Sequence, residues 1–134
     1  MTTWKRFAVA NMLAAAQDLV RGEEWGASHR VPVNGPRYFQ EGYLAGLLGD
    51  AGWAGEDSRV QTFTVNRLVS DEAGADWTGL YDFMVTSSIK SAATRGWGEG
   101  DLQKWPAAVR ASMQQEKKSF GGLLFEAWVV IARK

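Results

Sequence analysis

The sequence predicts an α+β fold: a small, partly antiparallel sheet of two long strands and a short N-terminal candidate strand, packed with four helices. Three observations predict it. The run Gly122-Leu-Leu-Phe-Glu-Ala-Trp-Val-Val-Ile-Ala-Arg-Lys134 is almost continuously apolar, the pattern of a strand buried on both faces at the centre of a sheet. Ser58 to Ser70 is rich in Val, Thr and Phe and alternates Gln61/Phe63/Val65 against Val60/Thr62/Thr64, so it reads as a second strand. Elsewhere the apolar positions recur at helical spacing.

The elements follow in order. Thr2 to Phe7 offers a short strand. From Phe7 to Arg21 the positions Val9, Met12, Leu13, Ala16, Leu19 and Val20 form a helical stripe, and Gly22 stands where a C-cap glycine would. A polar loop, Gly22 to Gly35, carries Trp25, His29 and Pro32. Asn34 and Pro36 mark the next helix start and Gly52 its end, with Tyr38, Phe39, Ala45, Leu47, Leu48 and Ala51 as its buried stripe. After the strand to Ser70 comes an acidic turn, Asp71 to Gly74. Asp76 then caps a helix through Leu80, Tyr81, Phe83, Met84 and Ile89 to about Ala93, followed by a glycine-broken loop from Thr94 to Gly100. Asp101 or Lys104 to Lys118 gives the last helix. Pro106 fits only a first turn, so the regular part is expected to begin near Trp105, with Val109 and Met113 inward. Gly121 and Gly122 turn the chain into the final strand.

Composition narrows the function. A length of 134 residues fits one domain, 1–134, with a real core. Fifteen basic and fifteen acidic residues cancel, and no basic cluster exceeds Lys117-Lys118, so nucleic-acid binding is not expected. The absence of cysteine excludes disulfides, a thiolate nucleophile and Cys-ligated zinc. A single histidine, His29, cannot build a multi-histidine metal site. Phe7 to Val20, interrupted by Asn11, Gln17 and Asp18, is neither a signal peptide nor a membrane span, so the chain reads as soluble and cytoplasmic, without membrane insertion. Seven tryptophans are the compositional outlier and favour an apolar ligand or partner.

Three stretches carry a family resemblance: Thr2-Thr-Trp-Lys5, Leu47-Leu-Gly-Asp-Ala-Gly-Trp53, and Phe120 to Lys134. In this order they resemble the C-terminal half of class I S-adenosylmethionine-dependent methyltransferases of the secondary-metabolism type. The resemblance implies that Arg59 to Leu68 matches that family's sixth strand, that Thr2 to Lys5 leaves its fifth, and that the final strand returns antiparallel between the two. It also places Trp4 and the Trp77 to Trp97 region on the substrate side. The family's cofactor site rests on a glycine-rich loop and an acidic residue upstream of the matching region. The glycines here do not supply that loop, because Gly42, Gly46 and Gly49 lie in a predicted helix and Gly96, Gly98 and Gly100 follow no strand. A stand-alone half without its own methyl transfer, and with no cofactor, is the expectation.

The candidate catalytic residues are His29, Glu126 and Lys90. Histidine is the side-chain type whose ordinary pKa lies near neutrality, which makes His29 a candidate acid or base; Glu126 interrupts an apolar strand and, if buried, needs a partner such as Arg67, Lys90 or Arg110, or else a raised pKa. Lys90 shares its helix with Asp82 and Ser87, for which solvent-facing polarity is the ordinary role. The candidate substrate-binding residues are Trp4, Trp25, Tyr43, Trp77, Tyr81, Met84 and Trp97; core packing is the competing role for each. No Gly-x-Ser-x-Gly elbow, His-Glu-x-x-His pair or phosphate loop is present, leaving hydrolytic and nucleotide chemistry unsupported.

The expected function is therefore a cofactor-independent cyclase or isomerase of secondary metabolism. It would fold a hydrophobic, terpene- or polyketide-like substrate in an aromatic pocket, as in an intramolecular Diels–Alder cycloaddition. The alternative is a non-catalytic methyltransferase remnant, a partner-binding module, or a fragment of an active small-molecule methyltransferase. An exposed sheet edge further leads to the expectation of a homodimer.

Overall fold

The structure, a computed structural model, describes residues 2–31, 39–53, 59–70 and 77–133. Its strands are β1 (Thr2–Arg6), β2 (Arg59–Ser70) and β3 (Gly122–Arg133). Its helices are α1 (Ala8–Arg21), α2 (Glu23–Ser28), α3 (Tyr43–Leu48), α4 (Thr78–Thr86), α5 (Ser88–Ala93) and α6 (Glu99–Phe120). The three strands form one antiparallel open sheet in the order β1-β3-β2, making this an α+β fold. The apolar final strand is thus central, and its second neighbour is the Thr2–Arg6 segment of the same chain.

The chain divides into two compact units. The first comprises Met1–Phe7, Asn34–Arg67 and Leu124–Lys134. In it β1 pairs with β3 through Thr2↔Val129, Thr3↔Trp128, Trp4↔Ala127 and Arg6↔Glu126, with a bulge between Trp4 and Arg6. Alternation places Lys5, Glu126 and Trp128 together: the Lys5 ammonium lies 3.4 Å from the Glu126 carboxylate and 5.1 Å above the Trp128 ring. Trp4, Phe7 and Phe125 gather in a three-ring cluster with centroids 5.1 to 6.0 Å apart. Helix α3 runs into a π-type turn, Gly49–Trp53, broken at Gly52. Leu48 and Trp53 there line a small cavity of about 160 Å³ with Val130 and Ala132 of β3.

The second unit comprises Ala8–Val33 and Leu68–Leu123. Its core forms where α1 packs along α6. Helix α1 buries Ala8, Met12, Leu13, Ala16 and Gln17; α6 buries Trp105, Ala108, Val109, Ser112, Met113 and Glu116. Both sets fall on one helical stripe. Trp105 is completely buried, and its indole Nε1 donates to the Met84 carbonyl at 3.1 Å, which fastens α4 to α6. Asp101, in the first turn of α6, accepts from Arg21 at 2.7 Å and from Lys104 at 3.0 Å. Two opposed cations and the positive end of the α6 dipole favour its charged form. Its carboxyl is accordingly held below the usual range, chiefly by the hydrogen bond from Arg21 and then by that from Lys104.

Several sequence expectations need correction. The Gly22 to Gly35 loop contains a helix, α2, because Trp25 and Gly26 pack instead of facing solvent. The helix expected to reach Ala93 breaks at Ser87, whose extended backbone and hydroxyl, accepting from the Ile89 N–H at 3.2 Å, start α5 afresh. Helix α6 begins at Glu99, with Pro106 in its interior. Pro106 sits on the exposed side, where water can take the carbonyl it leaves unpaired, and the buried Trp105 and bridged Asp101 hold the turns before it. Leu19 is 62% exposed and lies off the α1 stripe. The proposed Asn34 and Pro36 helix start, the acidic turn and the Asp76 cap lie outside the described residues.

Gly121 closes α6 in the left-handed conformation, φ 70°, with its N–H donating to the Lys117 carbonyl. At Gly122, the first residue of β3, a β-carbon would collide with the Val69 carbonyl and the Ser70 backbone. The start of the central strand therefore requires glycine.

Candidate functional site

Helix α2 is short, and its Trp25 is held on two sides. Arg21 lies 5.1 Å over its ring, and the His29 imidazole stacks flat on it, 4.1 Å between centroids at 1°. The His29 Nδ1 is 2.8 Å from the Trp25 carbonyl oxygen. A carbonyl only accepts, so Nδ1 carries the proton and donates, leaving Nε2 outside this hydrogen bond. Behind Trp25, Trp97 and Trp105 continue an edge-to-face chain at 5.6 Å steps.

This arrangement forms one wall of a pocket of about 360 Å³. Trp25, His29, Arg30 and Val31 line it from the end of α2, and Ala92, Ala93 and Arg95 from the end of α5. Arg30 is fixed by a two-pronged ion pair to Asp18, 2.8 Å in each arm, and also donates to the Ala14 carbonyl. Arg95 has no ion-pair or hydrogen-bond partner for its guanidinium among the described residues. Among the described residues the lining thus presents an apolar indole, an imidazole and two guanidinium groups, and no carboxylate.

Gln17 holds the two walls together. Fully buried on α1, it donates through Nε2 to the His29 carbonyl at 3.0 Å and the Ala93 carbonyl at 2.8 Å. Its signal in sequence was only a polar residue interrupting an apolar stripe. Gly26 is equally constrained, since a β-carbon there would overlap Asp18 Oδ1 and the Arg30 guanidinium.

A second groove, of about 410 Å³, opens between α4 and α6 and is lined by Trp77, Tyr81, Asp82, Arg110, Met113 and Lys117, among others. A cation already sits over each aromatic ring: Arg110 is 4.9 Å from Tyr81 and Lys117 is 4.5 Å from Trp77. One face of each ring is therefore taken.

The expected site residues consequently divide. Trp25 and His29 share the first pocket, with Trp97, only 8% exposed, packed behind Trp25. Trp77 and Tyr81 share the second groove, while Met84 is a completely buried core residue. Lys90 is half-buried on α5 and lines neither cavity. Trp4, Tyr43 and Glu126 belong to the other compact unit. The partner of Glu126 is Lys5, not Arg67, Lys90 or Arg110, because strand pairing sets Lys5 on the same face. Arg30, Arg95 and Gln17 were missed: isolated arginines and a buried glutamine acquire meaning only once the ends of α2 and α5 are brought together.

Among the described residues, no group of three or more His, Asp or Glu side chains is placed to hold a metal ion. No described helix is long and apolar enough to cross a membrane. No family model, curated protein or solved structure matches the chain.

Proposed function

We propose that the chain is a cytoplasmic, cofactor-independent isomerase or cyclase acting on a largely apolar small molecule that bears an acidic or enolisable oxygen, bound in the His29 pocket. One observation carries this reading: the His29 ring is pinned on Trp25 with Nδ1–H committed to a carbonyl, in a pocket shared with Arg95, whose guanidinium has no partner among the described residues. In an isomerisation, Nε2 of His29 takes the proton from the carbon that lies between a carbonyl and a carbon–carbon double bond of the substrate. The electron pair passes to the carbonyl oxygen, Arg95 stabilises the resulting dienolate, and His29 returns the proton at the far end of the former double bond, which shifts into conjugation with the carbonyl. An intramolecular cycloaddition needs only the arginine, to polarise the acceptor carbonyl, and the indole wall, to hold the folded conformation.

The test is exchange of the activated C–H of aryl-substituted β-keto acids in heavy water, followed by proton NMR. The wild-type chain should accelerate exchange, and His29→Gln should lose that acceleration while retaining binding. Equal exchange by both proteins would remove His29 from the chemistry.

A second reading is favoured by the strand order, in which the antiparallel final strand lies between β1 and β2. It is the order that the resemblance implies for a methyltransferase C-terminal half, and it supports a methyltransferase-derived binding module or a fragment of an active enzyme. Micromolar binding of S-adenosylmethionine by calorimetry would favour it over the isomerase reading. Self-association as a homodimer is part of the proposal in either case.

A further inference from the structure

Strand β2 is one edge of the sheet, and among the described residues nothing pairs with its outer side. It is twelve residues long, and every residue from Gln61 to Leu68 is exposed. Phe63 is 46% and Val65 53% exposed, on the same face of the strand. Edge strands are ordinarily protected by shortness, proline, a bulge or inward charge, and the stretch Gln61–Arg67 carries no proline, no acidic residue and a single basic one.

The sequence of this edge is self-complementary. Placed antiparallel to itself with Thr64 on the two-fold axis, Phe63 faces Val65, Thr62 faces Asn66, Gln61 faces Arg67 and Thr64 faces Thr64. Paired residues share a face in this register, so apolar meets apolar and polar meets polar at every step. Phe63 and Val65 of the two copies form one four-residue apolar cluster, and neither arginine faces the other. A two-fold pairing also uses both β2 edges at once and closes the assembly.

We infer that β2 is the interface between two copies of this chain, joined in that register into a continuous six-stranded sheet. The inference rests on the self-association proposed above and not on the catalytic reading.

The register makes a specific prediction at Thr64, which is exposed in the single chain. Light scattering of the full chain, from low micromolar to near-millimolar concentration, should give twice the chain mass. Thr64→Asp and Thr64→Lys each set like charges face to face on the axis and should weaken the dimer about tenfold or more, while circular dichroism stays unchanged. An equimolar mixture of the two variants should recover the dimer, because aspartate then faces lysine. Should either change disturb folding, Val65→Lys, which faces Phe63 of the other copy, should dissociate the dimer in the same way.

A wild-type chain that stays monomeric overturns both the self-association and the interface. A dimer untouched by these variants keeps the self-association and removes β2 from it. Monomeric variants that fail to recover on mixing overturn the register.

Discussion

Gln17 is a neutral side chain inside an apolar helix stripe, yet it ties together backbone on opposite walls of the His29 pocket. Its Nε2 supplies donors to the His29 and Ala93 carbonyls. Gln17→Leu leaves the buried Ala93 carbonyl without that donor, at a cost of about 1–3 kcal/mol, and the part-buried His29 carbonyl to water at a smaller cost. Urea denaturation should show a lower midpoint with an unchanged slope. Gly26→Ala acts on the same pocket by another route, forcing the Asp18 carboxylate and Arg30 guanidinium apart. Both displaced groups are ends of part-exposed side chains that can turn away, so the change should cost little stability while releasing the Arg30 hydrogen bond to Ala14. At this scale His29 and Trp25 were legible, because a lone histidine and a loop tryptophan are rare residue types in a polar stretch. Gln17, Arg30 and Arg95 were not, since their roles depend on backbone brought together from residues 29 and 93.

Helix α6 shows how an element overrides a local rule. Pro106 should end or begin a helix, but the turns before it are secured by Trp105 inside and by Asp101 between Arg21 and Lys104. Removing the inner anchor by Trp105→Ala should cost about 3–5 kcal/mol and loosen α4, whose Met84 carbonyl it holds. The outer anchor is pH-dependent. The pKa of Asp101 is lowered in the fold, so its stabilisation is fully present above the ordinary carboxylate range and is lost as pH falls through its folded value. The stability difference between wild type and Asp101→Asn should therefore persist at neutral pH and vanish once the pH has fallen below the folded value, a comparison that thermal melts across pH can make. The strands and the inward Val109 and Met113 were readable from periodicity. The break at Ser87 and the length of α6 were not, because each is decided by a cap or by packing against residues distant in sequence.

At the scale of the whole molecule, the last strand is central, between β1 and β2, as expected. The burial on both faces expected from its apolar residues at both parities is only partial: Leu123 and Val130 are buried, residues 124–129 are half-buried and Ile131 is 42% exposed. Gly122 is the point at which this arrangement is most sensitive. Gly122→Ala drives a methyl group into the Val69 carbonyl and should raise the unfolded fraction, seen as loss of protection in hydrogen exchange along β3. A formal charge of zero supplies no net attraction for an acidic ligand, so under the proposed function the attraction would come from Arg30 and Arg95, which line the pocket.

The central claim is that the His29 pocket receives an apolar acid through these groups. The most direct measurement is a titration of the ¹⁵N-labelled chain with an aryl-substituted β-keto acid, following the His29 ring nitrogens by NMR. Saturable binding should shift Nε2 while Nδ1 keeps its proton, and Arg95→Ala should weaken binding about tenfold or more, the loss of a charge-assisted hydrogen bond. No shift at His29, or equal affinity in Arg95→Ala, would contradict the account.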